Sequence, residues 1–271
     1  MEQNGIISSM EFTIEETQWA GKKGYLFETV DSTNKKAKEL AEAGCPHGTL
    51  VIASGQEAGV GRRGRSWFSE PGQGAYMSLV LRPELAVDKA SMLTLVAAVA
   101  VAKAIEAISK DCGVHPFIKW PNDIIIRGKK VCGILTEMTM KDDKIAYIIL
   151  GIGINVHNKS FPEEIANMAS SLELELGMGV ARERVTDLVL LAFERYYELF
   201  MQEQDLSLLL DEYMQMSANK GRKVTVLDPA GEYEGTARGI TNSGELMVDT
   251  PDGTKLVSSG EVSVRGIYGY V

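Results

Sequence analysis

Cysteine and histidine are scarce in this chain, with three of each in 271 residues. Cys45, Cys112 and Cys132 lie far apart and match neither a disulfide framework nor Cys-x-x-Cys metal spacing. His47, His115 and His157 form no cluster, which argues against a zinc centre. Positive charge is also short: 28 Lys and Arg stand against 37 Asp and Glu, a formal charge of −9. That balance speaks against general binding of DNA or RNA. The longest apolar run, Met92 to Ala102, is interrupted by Thr94 and too short to cross a bilayer. The N-terminus carries Glu2, Glu11, Glu15 and Glu16 and lacks the apolar segment of a signal peptide. No repeat, low-complexity linker or P-loop is present. The expectation is a cytoplasmic globular protein with no membrane association.

Residues 25–30 read as a strand and Asp31-Ser32-Thr33 as the start of a helix through about Ala43. Short strands are expected at Thr49–Ser54 and Ala75–Leu81, and a long buried helix is expected from a cap at Asp88 to about Ser109. Strands follow at Phe117–Trp120, Asp123–Ile126, Lys130–Met138 and Ile145–Val156, with a tight hairpin at Arg127-Gly128-Lys129. Helices at about Ala181–Gln202 and Leu206–Ser217 close the large unit. Beyond Gly221 four short strands, Val224–Leu227, Tyr233–Ala237, Leu246–Val248 and Lys255–Val257, alternate with turns at about ten-residue spacing, as in a small barrel. The chain therefore reads as α+β, with a first domain over 1–219 and an all-β module over 220–271.

Against the acidic background, Gly59-Val60-Gly61-Arg62-Arg63-Gly64-Arg65 holds three arginines, three glycines and no acid. It is not a Rossmann G-x-G-x-x-G at a helix start. Glycine lets backbone N–H groups approach an anion, and arginine adds bidentate donors. A solvated basic loop would show the same composition. Three further clusters carry polar groups in unusual places. Ser32-Thr33-Asn34 offers either an N-cap or a hydroxyl and amide set for a small polar ring. Lys119-Trp120-Pro121-Asn122-Asp123 places a Lys, an Asn and an Asp beside strands; Asp123 with Lys130 is either an edge ion pair or an ammonium oriented toward an anion or metal-bound phosphate. Gly151-Ile152-Gly153-Ile154-Asn155 marks either a bulge or a ligand approaching a strand backbone. Gln56 and Trp67 flank the Gly/Arg loop, Trp67 as core or as a lid anchor.

In this order and spacing the clusters resemble the catalytic domain of biotin–protein ligases, together with the Lys130-Val131-Cys132-Gly133-Ile134 stretch. The module after residue 220 resembles that family's SH3-like C-terminal domain. The resemblance implies a mixed-sheet biotin/lipoate ligase-like fold and a two-step reaction. Biotin and Mg²⁺-ATP give biotinoyl-5′-AMP and pyrophosphate, and a lysine of a biotin carboxyl carrier protein then takes the biotinoyl group. It also implies the roles of residues. Ser32, Thr33, Asn34, Gln56, Gly59, Arg62, Lys130 and Gly133 would bind biotin. Arg62, Arg65, Trp67, Lys119, Asn122 and Asn155 would face ATP or the adenylate. Lys130, Arg62 and Asp123 would be catalytic, with Asp123 also the candidate Mg²⁺ ligand. Val60 departs from the arginine common at that position. About 25 residues precede the first core strand, which on the resemblance implies a form without the DNA-binding domain, and a homodimer is compatible with it. A lipoate–protein ligase and a non-catalytic biotin-binding regulator are the alternatives; an Arg-Gly RNA-binding module lacks the basic, aromatic-rich surface it would need.

Overall fold

The computed structural model describes residues 9–228, 231–259 and 263–266. Strands β1 (Ser9–Phe12), β2 (Gly24–Val30), β3 (Leu50–Gln56), β4 (Gly74–Leu81), β5 (Phe117–Lys119), β6 (Asp123–Ile126), β7 (Lys129–Lys141) and β8 (Lys144–Asn155) form one mixed sheet. Its spatial order is β1-β2-β3-β4-β8-β7-β6-β5. Only β2 and β3 pair in parallel, joined by helix α1 (Thr33–Glu42), as a parallel pair requires. Helix α2 (Leu93–Ile108), two short helices α3 (Glu163–Ala166) and α4 (Leu172–Leu176), and helices α5 (Arg182–Glu203) and α6 (Leu210–Met216) complete this unit.

The two faces of the sheet are covered unequally. On one face α2 and α5 bury a large core that includes Leu95, Val99, Val189 and Phe193. On the other α1 covers a smaller cluster built from Phe27, Val30, Ala37, Ala41, Val51, Ala53 and Val80. Lying between both layers, β4 is buried at all eight positions, hence its unbroken apolar run around Ser78. One helix cannot cover the whole second face. The strip over β8 and β7 beside the N-terminus of α1 is left to loops, and the candidate site occupies it.

The stretch Val87–Ile108 is long and apolar enough to cross a bilayer by length and composition, which the interrupted run of apolar residues did not suggest. Most of it is buried inside the protein, and it serves as the central core helix. Its first six residues, Val87–Met92, are a 3₁₀ turn, so Asp88 does not cap the α-helix, which starts at Leu93. The last helix is shorter than its apolar pattern, because residues 206–209 form a turn whose Leu206 N–H donates to Asn242 O in a loop of the C-terminal module. Strand β1 and helices α3 and α4 were not anticipated; each is too short for a periodicity to develop.

Strands β9 (Lys223–Leu227), β10 (Tyr233–Ile240), β11 (Leu246–Thr250), β12 (Gly253–Val257) and β13 (Ser263–Gly266) form a second, antiparallel sheet ordered β12-β11-β10-β9-β13. The fifth strand, β13, lay beyond the expected four. Trp120 ties this module to the first. Its indole N–H donates to Gly244 O at 3.0 Å and its backbone N–H to Asn219 Oδ1 at 2.8 Å, with the ring 2% exposed.

Candidate active site

A narrow cleft sits where the second face is uncovered. Its floor is glycine. Gly133 on β7 pairs with Gly153 on β8, and Gly151 lies two residues further along β8. A Cβ on Gly153 would fall 2.5 Å from Trp67 Nε1, and one on Gly151 would fall 2.1 Å from Asn34 Oδ1. The glycines therefore let an indole and an amide lie flat on the strands, which no larger residue permits.

The Gly/Arg loop folds back over this floor. Val60 bridges Ser66, Gly61 N–H donates to Arg65 O at 2.6 Å, and Trp67 N–H donates to Gly59 O at 2.8 Å. Arg63 turns the loop at φ 59° and Gly64 at φ 70°. Trp67 is thereby laid on the glycines, with its Nε1 buried and without a partner among the described residues. The opening Arg62 guanidinium donates to Asn122 Oδ1 at 3.0 Å and to the Ser259 carbonyl, which belongs to the C-terminal module. Burial lowers its pKa from the usual arginine value, and nearby Asp123 opposes that shift.

Lys130 and Asp123 meet through a β-bulge. The β6–β7 register slips between Ile124 and Ile125, so Asp123 faces Gly133 while Ile125 faces Lys130. The extra residue, Val131, turns Lys130 to the same side as Gly133 despite the odd spacing. Lys130 Nζ then sits 2.6 Å from Asp123 Oδ1 and 5.1 Å from the Trp67 ring centre. Asn122 Nδ2 donates to Ile134 O at 3.0 Å, which holds its oxygen toward Arg62. Lys119 pairs in register with Asp123 across the hairpin whose turn contains the cis Trp120–Pro121 bond. Burial pushes the Lys119 ammonium down to about 8, a shift eased by Asp123 and reinforced by Lys130, Arg265 and Arg65.

At the other end of the cleft the groups are neutral. Ser32 occupies the N-cap position of α1 without making a capping bond, so its hydroxyl is left to the cleft. Thr33 donates to Gln56 Oε1 from both its backbone N–H (2.8 Å) and its hydroxyl (3.1 Å). Gln56 Nε2 donates to Ser69 Oγ at 2.8 Å. Asn34 Nδ2 donates to Glu137 Oε2 at 2.6 Å, and Asn34 Oδ1 accepts from Ser78. The arrangement thus runs from uncharged donors and acceptors, across a flat apolar floor, to two cations. At about 3.3 Å per residue, Gly151 and Gly153 are roughly 7 Å apart, so the two ends fit one small elongated ligand.

Of the residues expected in the site, Ser32, Thr33, Asn34, Gln56, Arg62, Trp67, Asn122, Lys130 and Gly133 line this one cleft. Gly59 lies against the Trp67 backbone carbonyl and the Gln56 amide, and Asp123 pairs with Lys130. Arg65 is exposed on the loop. Asn155 ends β8 outside the lining, where its Nδ2 donates to Ser170 O at 3.0 Å. Sequence reasoning missed Ser78, Glu137 and Ser259. Ser78 alone left a trace, as the polar residue inside the apolar run of β4.

Residues 26–155 match the model of the biotin/lipoate A/B protein ligase family, and residues 221–265 match that of the biotin protein ligase C-terminal domain. The bifunctional ligase/repressor BirA of Bacillus spizizenii is 41% identical over 241 residues, 88% of this chain and 72% of the relative. The biotin–[acetyl-CoA-carboxylase] ligase of Paracoccus denitrificans is 32% identical over 87% of this chain and 98% of its own. Among solved structures, the biotin protein ligase of Aquifex aeolicus in complex with biotin and ATP superposes with a TM-score of 0.77 at 32% identity, covering 90% of this chain and 98% of that one.

Proposed function

This chain belongs to the biotin protein ligase family, and from that premise we propose how its cleft works. The protein is a ligase that activates biotin with ATP to biotinoyl-5′-AMP and transfers biotin to a lysine of a biotin carboxyl carrier protein. We assign the catalytic unit to residues 1–219 and the SH3-like module to 220–271, and place the activity in the cytoplasm.

The polarity of the cleft carries the assignment of roles. Biotin has an uncharged ureido head, an apolar ring and chain, and a carboxylate. The cleft offers Ser32, Thr33, Asn34 and Gln56 at one end, the glycine floor with Trp67 between, and Arg62 and Lys130 at the other. Lipoate shares the carboxylate but has no head-group N–H or C=O, so it would leave the polar end unpaired, a strong basis for rejection. In the first step a biotin carboxylate oxygen attacks the α-phosphorus of ATP and pyrophosphate leaves. Two anions must be brought together, so the work is positioning and charge stabilisation. Lys130, steadied by Asp123, would hold the carboxylate. Arg62, aimed by Asn122, would bridge carboxylate and phosphate, while Lys119, Arg65 and Asn155 would face the rest of the nucleotide. Mg²⁺ would arrive with ATP as part of the substrate; Asp123, which pairs with Lys130, is the carboxylate that would lie on that side of the cleft. In the second step the carrier lysine, as free amine, attacks the activated carbonyl and AMP departs.

ATP–pyrophosphate exchange tests this reading. Exchange should require biotin and be silent with lipoate; exchange with lipoate alone would overturn it. Lys119 adds a pH signature. Its folded-state pKa is below the ordinary lysine value, so in the free enzyme the ammonium is lost as pH rises through about 8. kcat/KM for ATP should therefore fall above that pH, and Lys119→Arg, charged throughout, should flatten the fall. An unchanged alkaline limb in Lys119→Arg would remove Lys119 from nucleotide binding.

A further inference from the structure

The head-group end of the cleft is held by a hydrogen-bond chain that continues past the residues facing the ligand. Asn34 Nδ2 donates to Glu137 Oε2 at 2.6 Å. Ser78 Oγ donates toward Asn34 Oδ1 at 2.6 Å and toward Thr33 Oγ1 at 2.8 Å. Thr33 sends its own hydroxyl proton toward Gln56 Oε1 at 3.1 Å. Ser78 is fully buried, and Thr33 and Asn34 are nearly so. Neither Ser78 nor Glu137 lines the cleft.

Counting protons gives this chain a direction. An ionised carboxylate only accepts, so Glu137 fixes which end of the Asn34 amide faces it. Asn34 Oδ1 is then turned to Ser78 and competes for the single Ser78 proton, with the shorter contact of the two. Thr33 Oγ1 has its own proton engaged by Gln56, so it keeps a lone pair for the cleft. A hydroxyl in that state takes a donor from the ligand and rejects an acceptor. Without an acceptor at residue 137, the Asn34 amide is free to turn over and place Nδ2 on Ser78 Oγ. The Ser78 proton is then pushed onto Thr33 Oγ1, which takes up one of its two lone pairs and makes the hydroxyl a weaker acceptor for the ligand. Gly151 makes the arrangement compact, because a Cβ there would strike Asn34 Oδ1.

Resting on the biotin reading above, we propose that Glu137 and Ser78 are positioning residues that set the hydrogen-bond polarity of the head pocket, so that Thr33 accepts a ring N–H of the ureido group. Glu137 does this from outside. It is exposed and lines an adjoining groove with Lys35, Lys38 and Met138, so its charge stays in contact with water and carries little desolvation penalty.

The test is biotin-dependent ATP–pyrophosphate exchange by the whole chain carrying Glu137→Met, Glu137→Gln or Ser78→Ala, with melting temperatures measured alongside. Loss of one such hydrogen bond corresponds to about a tenfold change. Glu137→Met and Ser78→Ala should raise the KM for biotin about tenfold while leaving the KM for ATP and kcat at saturating biotin near wild type. Glu137→Gln keeps an acceptor oxygen and should stay within about twofold of wild type. The preference for biotin over its N-methylated ureido analogue should shrink in the first two variants and not in the third. An unchanged biotin KM in Glu137→Met and Ser78→Ala would overturn the proposal. So would parallel rises in the KM values for biotin and ATP, or a Glu137→Gln variant as impaired as Glu137→Met. A wild-type chain without biotin-dependent exchange would instead remove the biotin reading, and this proposal with it.

Discussion

Lys130→Ala is expected to reduce biotin-dependent ATP–pyrophosphate exchange by about 10²–10³-fold, the range for removing one preorganised charge-stabilising donor. Lys130 Nζ sits 2.6 Å from Asp123 Oδ1 and over the face of Trp67 at 5.1 Å, beside the glycine floor. Among the described residues, Arg62 is the one other cation that lines the cleft. The substitution acts twice: the ligand carboxylate loses its counter-charge, and the charge of the mostly buried Asp123 is no longer offset by Lys130. Lys130→Arg keeps the charge but not the compact geometry and should recover only part of the rate. Because the loss falls on the first step, the variant should still transfer biotin from added biotinoyl-AMP faster than it makes the adenylate. Exchange within about twofold of wild type would refute the role of Lys130.

Arg62→Gly should separate the two half-reactions. Arg62 ties the Gly/Arg loop to Asn122 and to the carbonyl of Ser259 in the C-terminal module. Its removal deletes the bridge expected to the adenylate and the loop's bonds to Asn122 and Ser259, while adding a glycine to a segment already rich in them. Two charge-assisted hydrogen bonds at about 1.5–3 kcal/mol each make a roughly 10²–10⁴-fold faster release of biotinoyl-AMP the expected result. Released mixed anhydride acylates exposed lysines, so a bystander protein in the same tube should become biotinylated. A single-turnover trap would show adenylate in free solution rather than on the protein. Retention equal to wild type, with no bystander labelling, would exclude Arg62 as the group that holds the adenylate.

Both predictions concern residues that stand out in the sequence, for a physical reason. The site uses charge in an acidic chain and glycine inside strands, and neither choice serves folding alone. The Gly59–Arg65 loop, the Lys119–Asp123 cluster and the Gly151–Gly153 pair were therefore legible before any coordinate. The hairpin at Arg127-Gly128 was equally readable, because both residues take positive φ, 48° and 79°, as a two-residue turn requires. Asp88 misled, because an acid before an apolar run looks the same whether the first turn is α or 3₁₀. Strand β1 and the fifth strand of the second sheet, β13, have four residues each and derive their order from partners distant in sequence.

What the sequence determined by itself was the inventory: two units, an α+β sheet protein followed by an all-β module, and a set of cations, amides and glycines suited to a neutral head with an anionic tail. Local propensity and residue chemistry suffice for that, because each signal lies within a few residues of the next. What only the tertiary structure decided was how the groups face one another. The bulge at Val131 turns Lys130 onto the side of Gly133; β4 brings Ser78 under Asn34; β7 brings Glu137 to the same amide; and the second module sets the Ser259 carbonyl against Arg62. These contacts join residues 44, 103 and 197 positions apart, for Ser78–Asn34, Asn34–Glu137 and Arg62–Ser259. Directional hydrogen bonds depend on register and on which face a side chain occupies, and those are settled only when the sheet assembles.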